Sequence, residues 1–157
     1  MELTINGGCK KLRTDLESLG SFLAYRLMKQ RLASTLSVEI NLKRNLIKKE
    51  GVYGSTDYNW ENSKPPKSFI IELDITPSTD IILTTTCHEF VHIWQYATGR
   101  LKELYRSPMY RFDGKYFKNN LVYEKLPWEK EAFSMEKKLY NEWVLYECGL
   151  EFQNKRS

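Results

Sequence analysis

The stretch 78–101, SerThrAspIleIleLeuThrThrThrCysHisGluPheValHisIleTrpGlnTyrAlaThrGlyArgLeu, constrains the fold most, because it holds both histidines of the 157-residue chain. His88, Glu89 and His92 form His-Glu-x-x-His, and side chains four apart on an α-helix lie one above the other. A helix here presents two imidazoles to one metal ion, with Glu89 beside them. Around that helix Leu83, Cys87, Phe90, Trp94, Ala97 and Leu101 form an apolar stripe, whereas Thr85, His88, His92, Gln95 and Gly99 fall close to the opposite side. The stripe is expected to pack, and the histidines to face solvent or a cleft. Ser78 and Thr79 supply an N-cap signal, and no proline interrupts the segment. Two surface histidines four apart by coincidence are the plain alternative to a zinc site.

At 157 residues the chain is long enough for one core and too short for two, so residues 1–157 are read as a single domain. Its 24 basic and 20 acidic residues leave a formal charge of +4, a diffuse excess that supports a nucleic-acid partner only weakly. The N-terminus has no apolar core of a signal peptide, and no apolar run approaches a membrane span. The expectation is a soluble, cytoplasmic protein without a membrane partner. Cys9, Cys87 and Cys148 are odd in number and far apart, which argues against a disulfide framework. Cys87 lies on the apolar stripe and is read as a buried thiol.

The rest of the chain reads as α+β. Leu12, Leu16, Leu19, Leu23 and Leu27 predict a first helix over 10–32, with Gly20 tolerated inside it at some cost. Strict alternation from Thr35 to Lys43 predicts a half-buried strand, and the basic patch Lys43, Arg44, Lys48 and Lys49 reads as a solvated loop. Residues 52–60 read as a weaker strand interrupted by Gly54. A strand over 68–74 leads into the motif helix, giving a small mixed sheet of about three strands. Asp113-Gly114, between two short aromatic runs, predicts a β-hairpin over 109–118. Leu121 to Leu126 is irregular, and Pro127 opens a last helix that runs to Gly149.

A catalytic zinc takes three protein ligands and leaves one position to water. With no third histidine, the third ligand is expected to be a carboxylate, a thiolate being the weaker choice. Glu129 and Glu131 lie close together on the last helix but roughly 200° apart around its axis, so at most one faces the metal. Glu129, in the first turn, is sufficiently explained by the free N–H groups and the helix dipole. Glu131 borders the apolar stripe of Trp128, Ala132, Met135, Leu139, Trp143 and Tyr146, where a carboxylate needs a partner or a metal. Glu131 is therefore the expected ligand, with Glu124 and Glu142 as alternatives.

HisGluPheValHis followed by a glutamate on a second helix resembles the gluzincin branch of zinc metallopeptidases. His92-Ile93-Trp94-Gln95, the strand-like segments before the motif helix and ProTrpGluLysGluAla are similar to the small SprT-like metallopeptidases and their bacteriophage relatives. The resemblance covers roughly residues 35–148. It implies a zincin-like domain, a phage-related intracellular setting and a protease. The third histidine typical of SprT-like proteins is absent here. The acidic residue that thermolysin-type enzymes carry four after the ligand glutamate is Met135 here, so the groups that orient the ligands are expected to lie elsewhere.

The chemistry that follows is hydrolysis of a protein or peptide substrate. Zinc on His88, His92 and Glu131 would activate water, with Glu89 as general base. A tetrahedral oxyanion needs a further donor, for which Tyr123, Tyr116 and Arg111 are candidates. The strand 68–74, if at the sheet edge, would receive an extended peptide by strand addition. The rival reading is a catalytically silent, zinc-containing protein that binds a protein or nucleic-acid partner. A purely structural site has no use for the glutamate between its ligands.

Overall fold

A computed structural model describes residues 1–59, 64–104, 107–118 and 122–154, the side chains of Glu124 and of 150–154 excepted. Among them are five α-helices and two small sheets, a mixed α and β architecture. Strand β1 (Glu2–Asn6) leads through two glycines into α1 (Lys10–Leu27), and a single turn α2 (Gln30–Ala33) precedes β2 (Ser37–Lys43). Then come α3 (Leu46–Glu50), β3 (Gly54–Tyr58), β4 (Ser68–Asp74) and the histidine-bearing helix α4 (Thr79–Ala97). Strands β5 (Leu101–Glu103), β6 (Met109–Phe112) and β7 (Lys115–Lys118) form the second sheet, and a 3-10 turn at Tyr123–Lys125 precedes α5 (Pro127–Asn154).

The first sheet has the order β1-β2-β4-β3, with β1, β2 and β4 parallel and β3 antiparallel to β4. Alternation along β2 and β4 buries Val38, Ile40, Phe69, Ile71 and Leu73, while Glu39, Asn41 and Glu72 point the other way. Helices α1 and α4 pack together, α1 against β1 and α4 against β3 and β4, and α5 packs on α4. Gly20 sits where α1 meets its neighbours: a Cβ there would stand 2.9 Å from Leu3 Cδ2 and 3.3 Å from Phe90 Cζ. The helix accepts the glycine because the packing requires it.

Several expectations change. The first helix ends at Leu27, because Met28 is extended and packs with Ala33 into the core. Strand β1 was not anticipated, and the basic patch after β2 includes the short helix α3. Gly54 begins β3 rather than interrupting it, and Trp60 lies outside the described residues. Strand β4 is interior, so the edge beside α4 belongs to β3 and not to 68–74. Ser78 stands at the N-cap of α4 without a side-chain capping bond. Helix α5 runs past Gly149 to Asn154, and a 3-10 turn lies within the segment read as irregular, of which Leu121 is not described. No helix among the described residues is long and apolar enough to cross a membrane.

Candidate metal centre

Three elements build the site. Helix α4 carries His88, Glu89 and His92, all at most 8 % exposed. Register places the second element: Ile40 pairs with Ile71 and Ile71 with Thr56, so Thr56 shares the helix-facing row with two core isoleucines. Its hydroxyl donates to Glu89 Oε2 at 2.7 Å. Gly54, two residues earlier on the same face, lets the strand approach; a Cβ there would lie 2.7 Å from Thr85 Cγ2 and 3.1 Å from Glu89 Oε1. Helix α5 supplies the third element, Glu129, 5 % exposed in its first turn.

His88 Nε2 and His92 Nε2 lie 3.1 Å apart, and Glu129 Oε2 is 3.2 Å from the first and 3.4 Å from the second. Each imidazole is held from behind. His88 Nδ1 is 3.0 Å from Glu136 Oε2, and His92 Nδ1 is 2.9 Å from Gln95 Oε1. Since a carboxylate and an amide oxygen only accept, both Nδ1 atoms donate and both Nε2 atoms turn lone pairs into the same buried gap as Glu129. Three acceptor atoms facing one another in a buried gap are stabilised by a cation or a shared proton between them. Ligand bonds of ~2.0–2.1 Å in a tetrahedron put the ligand atoms ~3.3 Å apart, so the observed spacing leaves room for a metal ion among them. His88, His92 and Glu129 form a buried group that could hold a metal ion.

Titration behaviour follows from this crowding. Burial pushes the Glu89 carboxyl above its ordinary range, and the pull of His92, Thr56 and His88 only partly offsets it. Burial alone would lower His92, but its contact with Glu129 outweighs that and raises it. Burial likewise opposes ionisation of Glu129, yet the contacts with His88 and His92, and with Tyr123, hold it down at about 2.

Glu131, the expected ligand, is not brought to the histidines. Its carboxylate accepts from Gln95 Nε2 at 2.9 Å and from Arg100 at 2.9 and 3.1 Å. A carboxylate at the border of the apolar stripe needs a partner, and here the partner is a guanidinium. Glu142 pairs with Arg26 on the surface, and the Glu124 side chain lies outside the described residues. Of the oxyanion candidates, Tyr123 hydrogen-bonds Glu129 and borders a cavity with His88, Glu89, Tyr53 and Phe133. Burial and then Glu129 drive its hydroxyl well above the usual tyrosine range. Tyr116 is 63 % exposed on β7, and Arg111 lines a different cavity with Tyr96 and Pro65.

Three residues were not singled out: Glu136, Gln95 and Thr56. Glu129 and Glu136 are seven apart, two turns along one face of α5, and that spacing was a readable signal for carboxylates serving both nitrogens of one imidazole. The chain matches no protein-family model, no curated protein and no solved structure.

Proposed function

We propose that the chain is a zinc-dependent metallopeptidase of gluzincin type, with His88, His92 and Glu129 as its metal ligands. The observation that carries this reading is the convergence of three buried lone-pair atoms at 3.1, 3.2 and 3.4 Å, next to a buried Glu89. When bound, zinc supplies a Lewis acid that lowers the pKa of water and polarises a carbonyl. Glu89 takes the proton of the attacking water and passes it to the leaving amine. Its raised affinity for protons suits that task, and Thr56 fixes Oε2 so that the carboxylate keeps one orientation. Tyr123 donates to the carbonyl oxygen as negative charge develops there.

Strand β3 lies at the sheet edge next to Glu89, which suits it to pair with an extended peptide. The cavity bordered by Tyr53 and Phe133 then receives a side chain of that peptide. The test measures zinc content by elemental mass spectrometry, then hydrolysis of a peptide library by the zinc-loaded parent and by Glu89→Gln. The expected result is about one zinc per chain in both proteins and cleavage by the parent alone. A parent without zinc after reconstitution overturns the reading. A zinc-loaded parent that cleaves nothing, alongside a Glu89→Gln variant with unchanged biological activity, replaces it with the silent binding protein.

A further inference from the structure

The Gln95 amide is fully buried and touches three groups at once. Its nitrogen donates to the Trp128 carbonyl at 3.0 Å and to Glu131 Oε2 at 2.9 Å, and its oxygen lies 2.9 Å from His92 Nδ1. Carbonyl and carboxylate oxygens only accept, so both must face the NH2 end of the amide. The oxygen is thereby left for His92, and the His92 proton is confined to Nδ1. Behind Gln95 stands a second layer. Arg100 grips Glu131 through Nη1 and Nη2 and grips Asp113, at the hairpin turn, through Nε at 2.8 Å and Nη2 at 2.7 Å. The guanidinium carbon lies 4.5 Å from the Trp94 ring centroid and 5.2 Å from that of Phe112, so the fork is stacked as well as paired.

From this geometry we propose that Glu131, held by Arg100 and Asp113, is a positioning residue for His92: it locks the Gln95 amide in the one orientation that keeps His92 Nε2 free as a ligand. The role rests on the metal reading given above. His88 needs no such device, because Glu136 accepts from its Nδ1 directly. The small second sheet thereby acquires a function, since the turn between β6 and β7 anchors the far end of the line that ends on a ligand.

The chain has only two histidines, so ¹⁵N-histidine labelling resolves each imidazole. Long-range ¹H–¹⁵N spectra of the zinc-loaded parent should show His92 bound through Nε2, with a slowly exchanging Nδ1 proton. Glu131→Ala should lower zinc affinity by about 10–100-fold and speed exchange of the His92 Nδ1 proton, with the His88 signals unchanged. Glu131→Gln, whose amide oxygen can still accept from Gln95, should recover most of that affinity. Should Glu131→Ala fail to fold, Asp113→Ala at the half-exposed hairpin turn decides, with a smaller loss in the same direction. A parent that binds no zinc overturns the metal reading and this role with it. Parent-like affinity and an unchanged His92 Nδ1 signal in the alanine variants overturn the positioning role alone.

Discussion

Glu129 and Glu131 are two residues apart on one helix, yet they stand in opposite electrostatic situations. Glu131, with its side chain 25 % exposed, meets a cation that the chain itself supplies, Arg100, whose own charge is reinforced by Asp113 and Glu131. Glu129, with its side chain 6 % exposed, meets two imidazole nitrogens whose partners on the far side fix them as acceptors. One cluster carries its positive charge; the other has to acquire one, as a proton or as a metal. The difference teaches that a ligand set is recognised by an unbalanced buried charge, and a carboxylate near a histidine is not enough.

The sharpest way to break that comparison is to remove each carboxylate in turn. Glu129→Ala should lower zinc affinity by more than the ~10–100-fold typical of groups that only orient a ligand, and Glu131→Ala by no more than that range. Zinc competition with a chromophoric chelator reads both. Equal losses would dissolve the distinction, and the reverse order would make Glu131 the ligand. Next in size, Glu89→Gln should keep zinc within a few-fold of the parent while hydrolysis falls by about 10²–10⁴. Single-turnover assays at saturating zinc separate that effect from loss of metal.

The sequence made the elements of the centre legible more readily than their rotation. Helix α4, strand β4 and the Asp113-Gly114 hairpin are local patterns, and each falls where the pattern placed it. Strand β1 is half-exposed along its length and gains its identity only by parallel pairing with β2, more than thirty residues away. The carboxylate that stands beside the histidines lies two residues before the one the sequence points to, because local chemistry explains Glu129 too well. A first-turn glutamate satisfies free N–H groups, and nothing in the local sequence indicates that the same turn abuts two imidazoles. Glu131 borders an apolar stripe and needs a partner, but Arg100 lies 31 residues earlier, just beyond the end of α4, and could be matched to it only in space.

Removing metal tests the charge imbalance from the stability side. If zinc fills the gap, saturation at about a thousand times its Kd stabilises the fold by about 4 kcal/mol, and a strong chelator should withdraw that amount. At the same zinc concentration Glu129→Ala should lose most of this sensitivity, whereas Glu131→Ala, weakened about 10–100-fold, should keep about 1.4–2.7 kcal/mol of it. Calorimetric unfolding with and without chelator gives the three differences. A parent whose unfolding temperature ignores the chelator would leave the histidine cluster balanced by protons alone.

Asp74 sharpens the comparison with a third arrangement, a buried carboxylate held by neutral donors. It accepts from Ile47 N at 2.9 Å, from Thr76 N at 2.9 Å and from the Thr76 hydroxyl at 2.6 Å. Burial opposes its ionisation, but these bonds prevail and bring it down to about 2. Because the folded value lies below the unfolded one of about 3.9, the stabilisation is complete above pH ~4 and is lost as pH falls toward ~2. Asp74→Asn should be less stable at neutral pH, and its stability should change less than the parent's between pH 4 and 2. Urea titrations across that range measure the two slopes; parallel slopes would remove Asp74 from the acid response.

The smallest effect is expected where a carboxylate and its cation both face water. Glu142 receives Arg26 Nε at 2.7 Å and Nη2 at 3.2 Å, with side chains 28 % and 48 % exposed. The pairing is charge-balanced like that of Glu131 and Arg100, but solvent screens it, and such pairs contribute about 0–1 kcal/mol. Glu142→Ala should therefore shift stability by no more than that and leave zinc affinity unchanged. The same substitution at Glu131 combines charge balance with contact to the buried Gln95, so it should fall between Glu142→Ala and Glu129→Ala in its effect on zinc. Zinc affinities in that order would tie the effect to distance from the unbalanced charge. A Glu142→Ala variant that lost zinc as readily as Glu131→Ala would show that any loosening of α5 suffices, and the contrast between the two clusters would then reflect helix packing alone.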